Sequence, residues 1–331
     1  MHPALSVIFF TAVSGIGYGL LFLLGLAFAI DPLACDPVAA LLAIGAGTLL
    51  AVAGLTSSTL HLGQPLRAWR AFSQWRSSWL SLEGLAALLC FAPTLALGAL
   101  VWHDRHALAM QDPGSGQLLA LRSAGIALAI GAVATVFCTA RIYTSLKTIA
   151  AWHNGYVLPT YLLLALLGGA AALWTFDALA GSGAAPWLRR GLPILVLLSA
   201  IASAWLKRAY WRFIDSPSAT STAESATGLG RFGSVHGVEA PHTEENYLTR
   251  EMGFVLARKH AGRLRAIALI LLAAVPAALA LLALMLSSPV PTMIYAVVSA
   301  LCVTGGTFVE RWLFFAEAKH VVMLYYAGTR N

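Results

Sequence analysis

Residues 266–309 read AIALILLAAVPAALALLALMLSSPVPTMIYAVVSALCVTGGTFV, without a single charged side chain. Crossing a hydrocarbon layer ~30 Å thick takes about 20 apolar residues in a helix, so this run is about twice too long for one passage. It interrupts itself at Ser287-Ser288-Pro289-Val290-Pro291, where two serines and two prolines mark a turn. The stretch therefore predicts two membrane helices, 266–286 and 292–316, joined by a tight hairpin.

Measured the same way, the rest of the sequence gives further apolar runs at 4–30, 38–60, 80–102, 117–142, 156–178 and 189–209. The expected fold is an all-α integral membrane protein, one domain over 1–331 with eight transmembrane helices in a bundle. Composition agrees: 59% of residues are hydrophobic and 11% charged, where a soluble domain carries about 25% charged residues. The first run lacks a basic cluster ahead of it and a small-residue cleavage site behind it, so it reads as a retained helix with Met1 as the mature start. Cys35, Cys90, Cys138 and Cys302 are scattered without a CxxC pair, and read as small core residues rather than cluster ligands or disulfides.

An even number of crossings puts both termini on one side. Of the 21 lysines and arginines, only Arg105, Arg122, Arg189 and Arg190 fall on the opposite side. The excess of positive charge marks the side of the termini, with the 62–79 and 211–262 loops, as cytoplasmic. The formal net charge of +7 is a topology signal, and nucleic-acid binding does not follow from it. Within 211–265, the Ser/Thr/Ala/Gly-rich half (Ser216 to Gly237) reads as a flexible loop. Thr243 to Arg265, with apolar residues at 248, 252, 255 and 256, reads as an amphipathic helix suited to the membrane surface or to a soluble partner.

Ionisable groups at membrane depth are costly, so each is a functional candidate, with a satisfied structural role as its competitor. His61 closes the second helix and Glu83 sits one turn inside the third, on the same membrane face. An imidazole and a carboxylate at one depth suit a quinone head group, His61 bonding an oxygen and Glu83 passing protons. An interfacial histidine and a capping or ion-paired glutamate is the competing reading. Between them Arg67, Trp69, Arg70, Trp75 and Arg76 mix cations with aromatics. That mix fits an ordinary membrane interface and a docking surface for a soluble subunit equally.

Arg141-Ile142-Tyr143 ends the fourth helix, ahead of Lys147, Trp152 and His153. In the eighth, Glu310 and Arg311 are embedded; neighbouring helical residues do not face each other, so each should find an ion-pair partner on another helix. Ser14-Gly15-Ile16-Gly17-Tyr18-Gly19 offers a small-residue face for close helix contact, from which Tyr18 can reach a ligand. A membrane haem needs opposed histidines inside the hydrocarbon layer, and only His61, His153 and His320 come near a helix, all on one face; no haem is expected. Nor is a metal site or catalytic centre, since zinc-ligand, Walker and Rossmann spacings are absent.

At these residues the sequence resembles the membrane-anchor subunit of dimethyl sulfoxide reductase-type molybdoenzymes (DmsC-like). The matching stretches are Leu60-His61-Leu62-Gly63-Gln64-Pro65-Leu66-Arg67-Ala68 with Ser81-Leu82-Glu83, Arg141-Ile142-Tyr143 with Thr148 and Trp152, and the end of the eighth helix around Arg311 and Phe314. The resemblance implies a three-part complex in a bacterial inner membrane. A molybdopterin catalytic subunit and an iron–sulfur subunit are held by this anchor, which binds ubiquinone or menaquinone at a site that includes His61 and Glu83. Tyr18, Arg141 and Tyr143 are added to that site as expected further contacts.

One feature departs from that pattern. In dimethyl sulfoxide reductases the catalytic subunits lie on the periplasmic side, next to the face bearing this histidine, whereas the charge distribution here marks that face as cytoplasmic. A cytoplasmic arrangement suits the related sulfite-oxidising, quinone-reducing complexes, and the basic loop before the seventh helix tips the reading toward them. The alternatives are a quinol-oxidising dimethyl sulfoxide reductase anchor and, from another class, a secondary transporter using Glu83, Glu310 and Arg311 as an ion path.

Overall fold

The computed structural model describes residues 4–60, 62–181, 185–216, 222–235, 256–286 and 289–322. Every regular element among the described residues is helical, and eight helices are long and apolar enough to cross a bilayer. They are α1 (Leu5–Ile30), α2 (Pro37–Thr59), α3 (Trp79–Ala109), α4 (Ser115–Thr144), α5 (Val157–Ala180), α6 (Pro186–Asp215), α7 and α8 (Pro289–Ala316). α7 is continuous through Leu256–Leu269, a π turn at Ile270–Ala274 and Val275–Met285.

The expected spans are all present, but several are longer than the apolar runs that announced them. α2 starts where Asp36 Oδ1 accepts from the Val38 and Ala39 amides at 2.9 and 3.0 Å, with Pro37 in the first turn, where its missing N–H has no partner to lose. α3 runs on past the hydrocarbon to Ala109, and its buried Asp104 accepts from Gln117 of α4 at 2.7 Å. α6 reaches Asp215, so 211–215 belong to a helix and not to the loop read as beginning at 211; Tyr210 and Trp211 bury their rings there. α8 begins at Pro289, three residues before the expected start, because prolines are tolerated in a first helical turn. Of the amphipathic helix expected over Thr243 to Arg265, the part from Leu256 onward is the start of α7, and 243–255 lie outside the described residues. Within the expected flexible loop, Ala223–Thr227 form a short helical turn capped by Thr222.

Two helices form the middle of the bundle. In α1 and α5, 78% and 67% of the most apolar stretch is buried, against 28–44% in the other six. Lipid is as apolar as a leucine side chain, so helices associate in a membrane by close packing rather than by hydrophobic exclusion. The small-residue face of α1 supplies that packing. A Cβ on Gly17 would stand 2.8 Å from the Gly47 carbonyl of α2, and one on Gly19 would overlap the Ala165 carbonyl of α5. The start of α1 and the end of α8 meet through Phe9 and Phe308, whose rings are 6.0 Å apart.

Candidate functional site

α3 opens at Ser78, whose hydroxyl accepts from the Ser81 amide at 3.4 Å, and Glu83 follows one turn inside. Its side chain is sealed, the residue being 3% exposed, and Thr139 of α4 donates its hydroxyl to Glu83 Oε1. Thr139 belongs to a stripe, Thr135, Thr139 and Tyr143, spaced by four residues along one side of α4. Glu83 interacts electrostatically with Tyr18, Tyr143 and Tyr161, so the carboxylate and three phenols share one neighbourhood.

Beside it α1, α4, α5 and α8 enclose a small cavity whose polar lining is Thr11, Ser14, Tyr18, Thr139, Tyr161 and Arg311, along with Thr307. At about 10 Å³ it has room for a single water molecule. Thr11 and Ser14 spend their hydroxyls on their own helix, on the Val7 and Phe10 carbonyls at 2.9 and 2.7 Å. Tyr18 Oη, Tyr161 Oη and Arg311 Nε and Nη1 are buried without a hydrogen-bond partner among the described residues. Arg311 lies flat on Tyr161, its Cζ 3.6 Å from the ring centroid, with Nε 3.4 Å from Glu310 Oε2. An unmet buried donor costs about 1–3 kcal/mol. With Arg311 Nε turned to Glu310, the Tyr18 and Tyr161 hydroxyls and Arg311 Nη1 remain as buried donors on residues that line the cavity, and they favour an acceptor oxygen.

Of the embedded pair, Glu310 finds the expected partner on another helix, whereas Arg311 leans on Glu310 itself, its own neighbour, because the carboxylate offers one oxygen to each cation. Glu310 Oε1 receives Lys207 Nζ of α6 at 2.6 Å, and that ammonium also lies 4.1 Å from the Tyr210 ring centroid. Lys207, counted from the sequence among the interfacial cations, is instead part of the core. Further out, Arg265 of α7 forks onto Asp215 (2.5 and 2.9 Å) and bonds Glu317 (2.9 Å), tying α6, α7 and the end of α8 together. Burial pushes the Glu317 carboxyl above the ordinary carboxylate range, and the Arg265 guanidinium offsets only part of that shift.

The remaining expected contacts fall at graded distances from the cavity. Tyr18 lines it. Glu83 joins it through Thr139. Tyr143 stands behind it, stacked on Tyr161 with centroids 5.7 Å apart and edge-on to Trp152, Phe314 and Phe315. Trp152 holds that aromatic cluster to α8 by donating to the Phe314 carbonyl at 3.0 Å. Arg141 is directed elsewhere, over the Trp79 ring at 5.0 Å, where it flanks the start of α3. His61 lies outside the described residues.

Between α2 and α3, Pro65–Gln74 form a 3₁₀ helix with no buried residue. Side chains three apart eclipse in this geometry. Leu66, Trp69, Phe72 and Trp75 thus make one ridge, exposed over 93%, 66%, 39% and 44% of their surfaces, and Arg67, Arg70 and Arg76 follow the next register. Arg70 and Arg76 lean over the Trp69 and Trp75 rings at 5.6 and 4.9 Å. Phe72 roots the ridge on α3, since a Cβ on Gly84 would meet its ring at 3.1 Å.

The family model described as "DMSO reductase anchor subunit (DmsC)" matches residues 1–316. The chain belongs to the DMSO reductase anchor subunit family. The C subunit of a sulfite dehydrogenase from Allochromatium vinosum is 31% identical to it over 98% of this sequence and 99% of its own length. Two Escherichia coli proteins of anaerobic dimethyl sulfoxide reductases match over shorter stretches. The YnfH protein is 33% identical over 37% of this sequence and 39% of its own, and the anchor-family relative named as the reductase's C chain is 28% identical over 45% and 48%. This protein is thus a multi-pass membrane-anchor subunit of that family. Glu83, Tyr143 and Arg311 sit at one end of its bundle, on or near the donor cavity. The anchor's sequence alone does not single out Thr139, Tyr161 and Lys207. Two signals could have found the first and the last: the four-residue stripe on α4, and the spacing of Lys207 from Tyr210 and Trp211, which puts a cation on a buried aromatic face.

Proposed function

We propose that this anchor exchanges electrons between an iron–sulfur cluster of a partner subunit and a membrane quinone, ubiquinone or menaquinone, held with one carbonyl oxygen at the mouth of the Tyr18–Tyr161–Arg311 cavity. The observation that carries the reading is the set of unpaired donors there. A quinone carbonyl oxygen only accepts hydrogen bonds, and its demand for donors grows as electrons arrive and the oxygen becomes more negative. Reduction of the quinone to quinol takes two electrons, supplied by the partner's cluster, and two protons. Arg311 and the two phenols hold the oxygen, Glu83 delivers protons through the Thr139 hydroxyl, and His61 bonds the second oxygen or the proton source. Run backwards, the same groups serve quinol oxidation.

The iron–sulfur subunit docks on the 3₁₀ ridge through Arg67, Trp69, Arg70, Trp75 and Arg76, and a molybdopterin catalytic subunit joins it there. We place this face in the cytoplasm of a bacterial cell, with the bundle in the inner membrane. Lys207, Arg265 and Arg311 are engaged in pairs within the protein, but the exposed arginines between α2 and α3 still support that orientation. The sulfite-oxidising, quinone-reducing type is favoured by full-length similarity to a sulfite dehydrogenase component. The test is a complex purified with Glu83→Gln or His61→Ala. Both variants are expected to assemble, to keep turnover with an artificial dye at the catalytic subunit, and to lose quinone-linked turnover; unchanged quinone-linked turnover in both would overturn the site.

A further inference from the structure

The donor cavity has a neighbour. Tyr18, Val136 and Ala165 line it on one side and on the other line a second, larger space of about 450 Å³ between α4 and α5. The second space is a different chemical environment. Among its lining residues Tyr18 alone carries a polar side chain; Phe22, Ala132, Val133, Pro159, Leu162 and Leu166 are typical of the remainder. Pro159 lacks the backbone N–H that a first helical turn would otherwise present to it. Val133 is 38% exposed, so the space opens outward through the lipid-facing side of the bundle.

Register fixes how the two spaces are stacked. Thr139 and Tyr161 of the donor cavity lie within two turns of the helix ends nearest the 3₁₀ ridge. The apolar space extends four residues past the donor cavity on α1 and on α4, to Phe22 and Ala132, while on α5 the two share one level, Pro159 to Leu166 against Tyr161 to Ala165. At 1.5 Å per residue its α1 and α4 walls reach about 6 Å deeper. A polar recess with buried donors thus borders, across Tyr18, Val136 and Ala165, an apolar slot that opens toward lipid. The molecule that matches both halves at once has a ring with acceptor oxygens and an unbranched run of apolar units attached to it.

We propose that the α4–α5 crevice seats the prenyl tail of the quinone, so that the tail lies along Val133, Leu162 and Leu166 while the ring stands against Tyr18 with one oxygen directed toward Arg311. This inference rests on the quinone reading above and adds where the substrate enters and what selects it. The crevice makes the protein a reader of tail as well as ring, and Tyr18, at the junction, is the residue both parts touch.

The experiment compares a prenylated quinone with a tailless ring analogue, using the intact complex in nanodiscs of one defined phospholipid. Val133→Trp and Leu162→Trp fill the crevice, and Ile130→Trp, on a lipid-facing part of α4 outside the lining, is the control. The expected result is a rise of about tenfold in the ratio of KM for the prenylated quinone to KM for the analogue in the two filling variants, with the control unchanged. An unchanged ratio in variants that still reduce both quinones overturns the crevice assignment alone. A wild-type complex that reduces neither quinone overturns the quinone reading and the crevice with it. Loss of a co-purified phospholipid from the filling variants at an unchanged ratio assigns the crevice to a lipid acyl tail, and overturns the proposal.

Discussion

Lys207 Nζ and Glu310 Oε1 face each other at 2.6 Å between α6 and α8, with 2% and 0% of their side chains exposed. Removing one member strands the other charge where neither water nor lipid headgroups reach it, a loss of about 3–5 kcal/mol. Lys207→Met and Glu310→Gln singly are expected to lower the thermal midpoint of the detergent-solubilised complex sharply, while the double variant recovers much of the loss. The double variant still disturbs Arg311, which leans on Glu310 Oε2 at 3.4 Å, so its quinone-linked turnover stays below wild type. Additive single effects, with no recovery in the double variant, would show that the two charges do not stabilise one another.

The hydrogen bond from Thr139 to Glu83 makes a narrower prediction. Thr139→Val keeps the shape of the side chain and removes the hydroxyl, so the anchor should fold and assemble as before. If that hydroxyl carries protons between Glu83 and the quinone, quinone-linked kcat falls by about 10²-fold, the usual weight of a positioned acid or base, with KM little changed. Thr139→Ser retains the donor and is expected to restore most of the rate. A rise in KM at constant kcat would instead assign Thr139 to binding.

Packing of α1 on α5 depends on glycines that oppose backbone. Gly19→Leu is expected to prevent stable accumulation of the anchor in membranes, because its Cβ alone would overlap the Ala165 carbonyl. Overpacking of well-filled contacts costs typically about 1–3 kcal/mol, and here rigid backbone leaves nothing to yield. Gly15→Ala is the control, since a Cβ there meets nothing within 4 Å. Quantitative immunoblots of membrane fractions compare the two, and equal amounts would mean that α1 and α5 can separate without loss.

How far the site could be read from sequence divides along physical lines. Spans follow from length and apolarity, which are local, so the uncharged run at 266–309 with its prolines gives two helices and the six other apolar runs give the rest of the eight. Glu83 and Arg311 stood out because charge inside a membrane is conspicuous. Tyr161 and Thr139 did not, because a phenol or a hydroxyl within an apolar helix is ordinary until a neighbouring helix leaves it unpaired or pairs it. Lys207 was hidden by company: next to Arg208 and Arg212 it resembles an interfacial cation, and only the partner helix reveals that Glu310 draws it inside. Arg141 shows the reverse, a residue whose motif context suggested the cavity and whose guanidinium is held at Trp79 instead.

The ridge between α2 and α3 gives the prediction that separates anchoring from electron exchange. Arg67 and Arg70 lie on an exposed 3₁₀ helix, Arg76 in the turn just after it, and no acid lies between Leu62 and Leu82 to neutralise them. A soluble subunit that binds there through carboxylates does so by exposed charge pairs, which govern encounter and are screened within about 8–10 Å at physiological salt. The triple variant Arg67→Glu, Arg70→Glu and Arg76→Glu is therefore expected to insert in the membrane at normal levels but release the catalytic and iron–sulfur subunits into the soluble fraction, and wild-type membranes are expected to release them at high salt. Trp69→Ala and Trp75→Ala weaken the same attachment without salt sensitivity, since their contribution is desolvated ring area at the centre of the contact. Should the triple variant hold both subunits as tightly as wild type at every salt concentration, the ridge is a membrane-surface anchor and the partners dock elsewhere on this face. A reporter enzyme inserted at Ser77, active only in the cytoplasm, then decides on which side of the membrane that face lies.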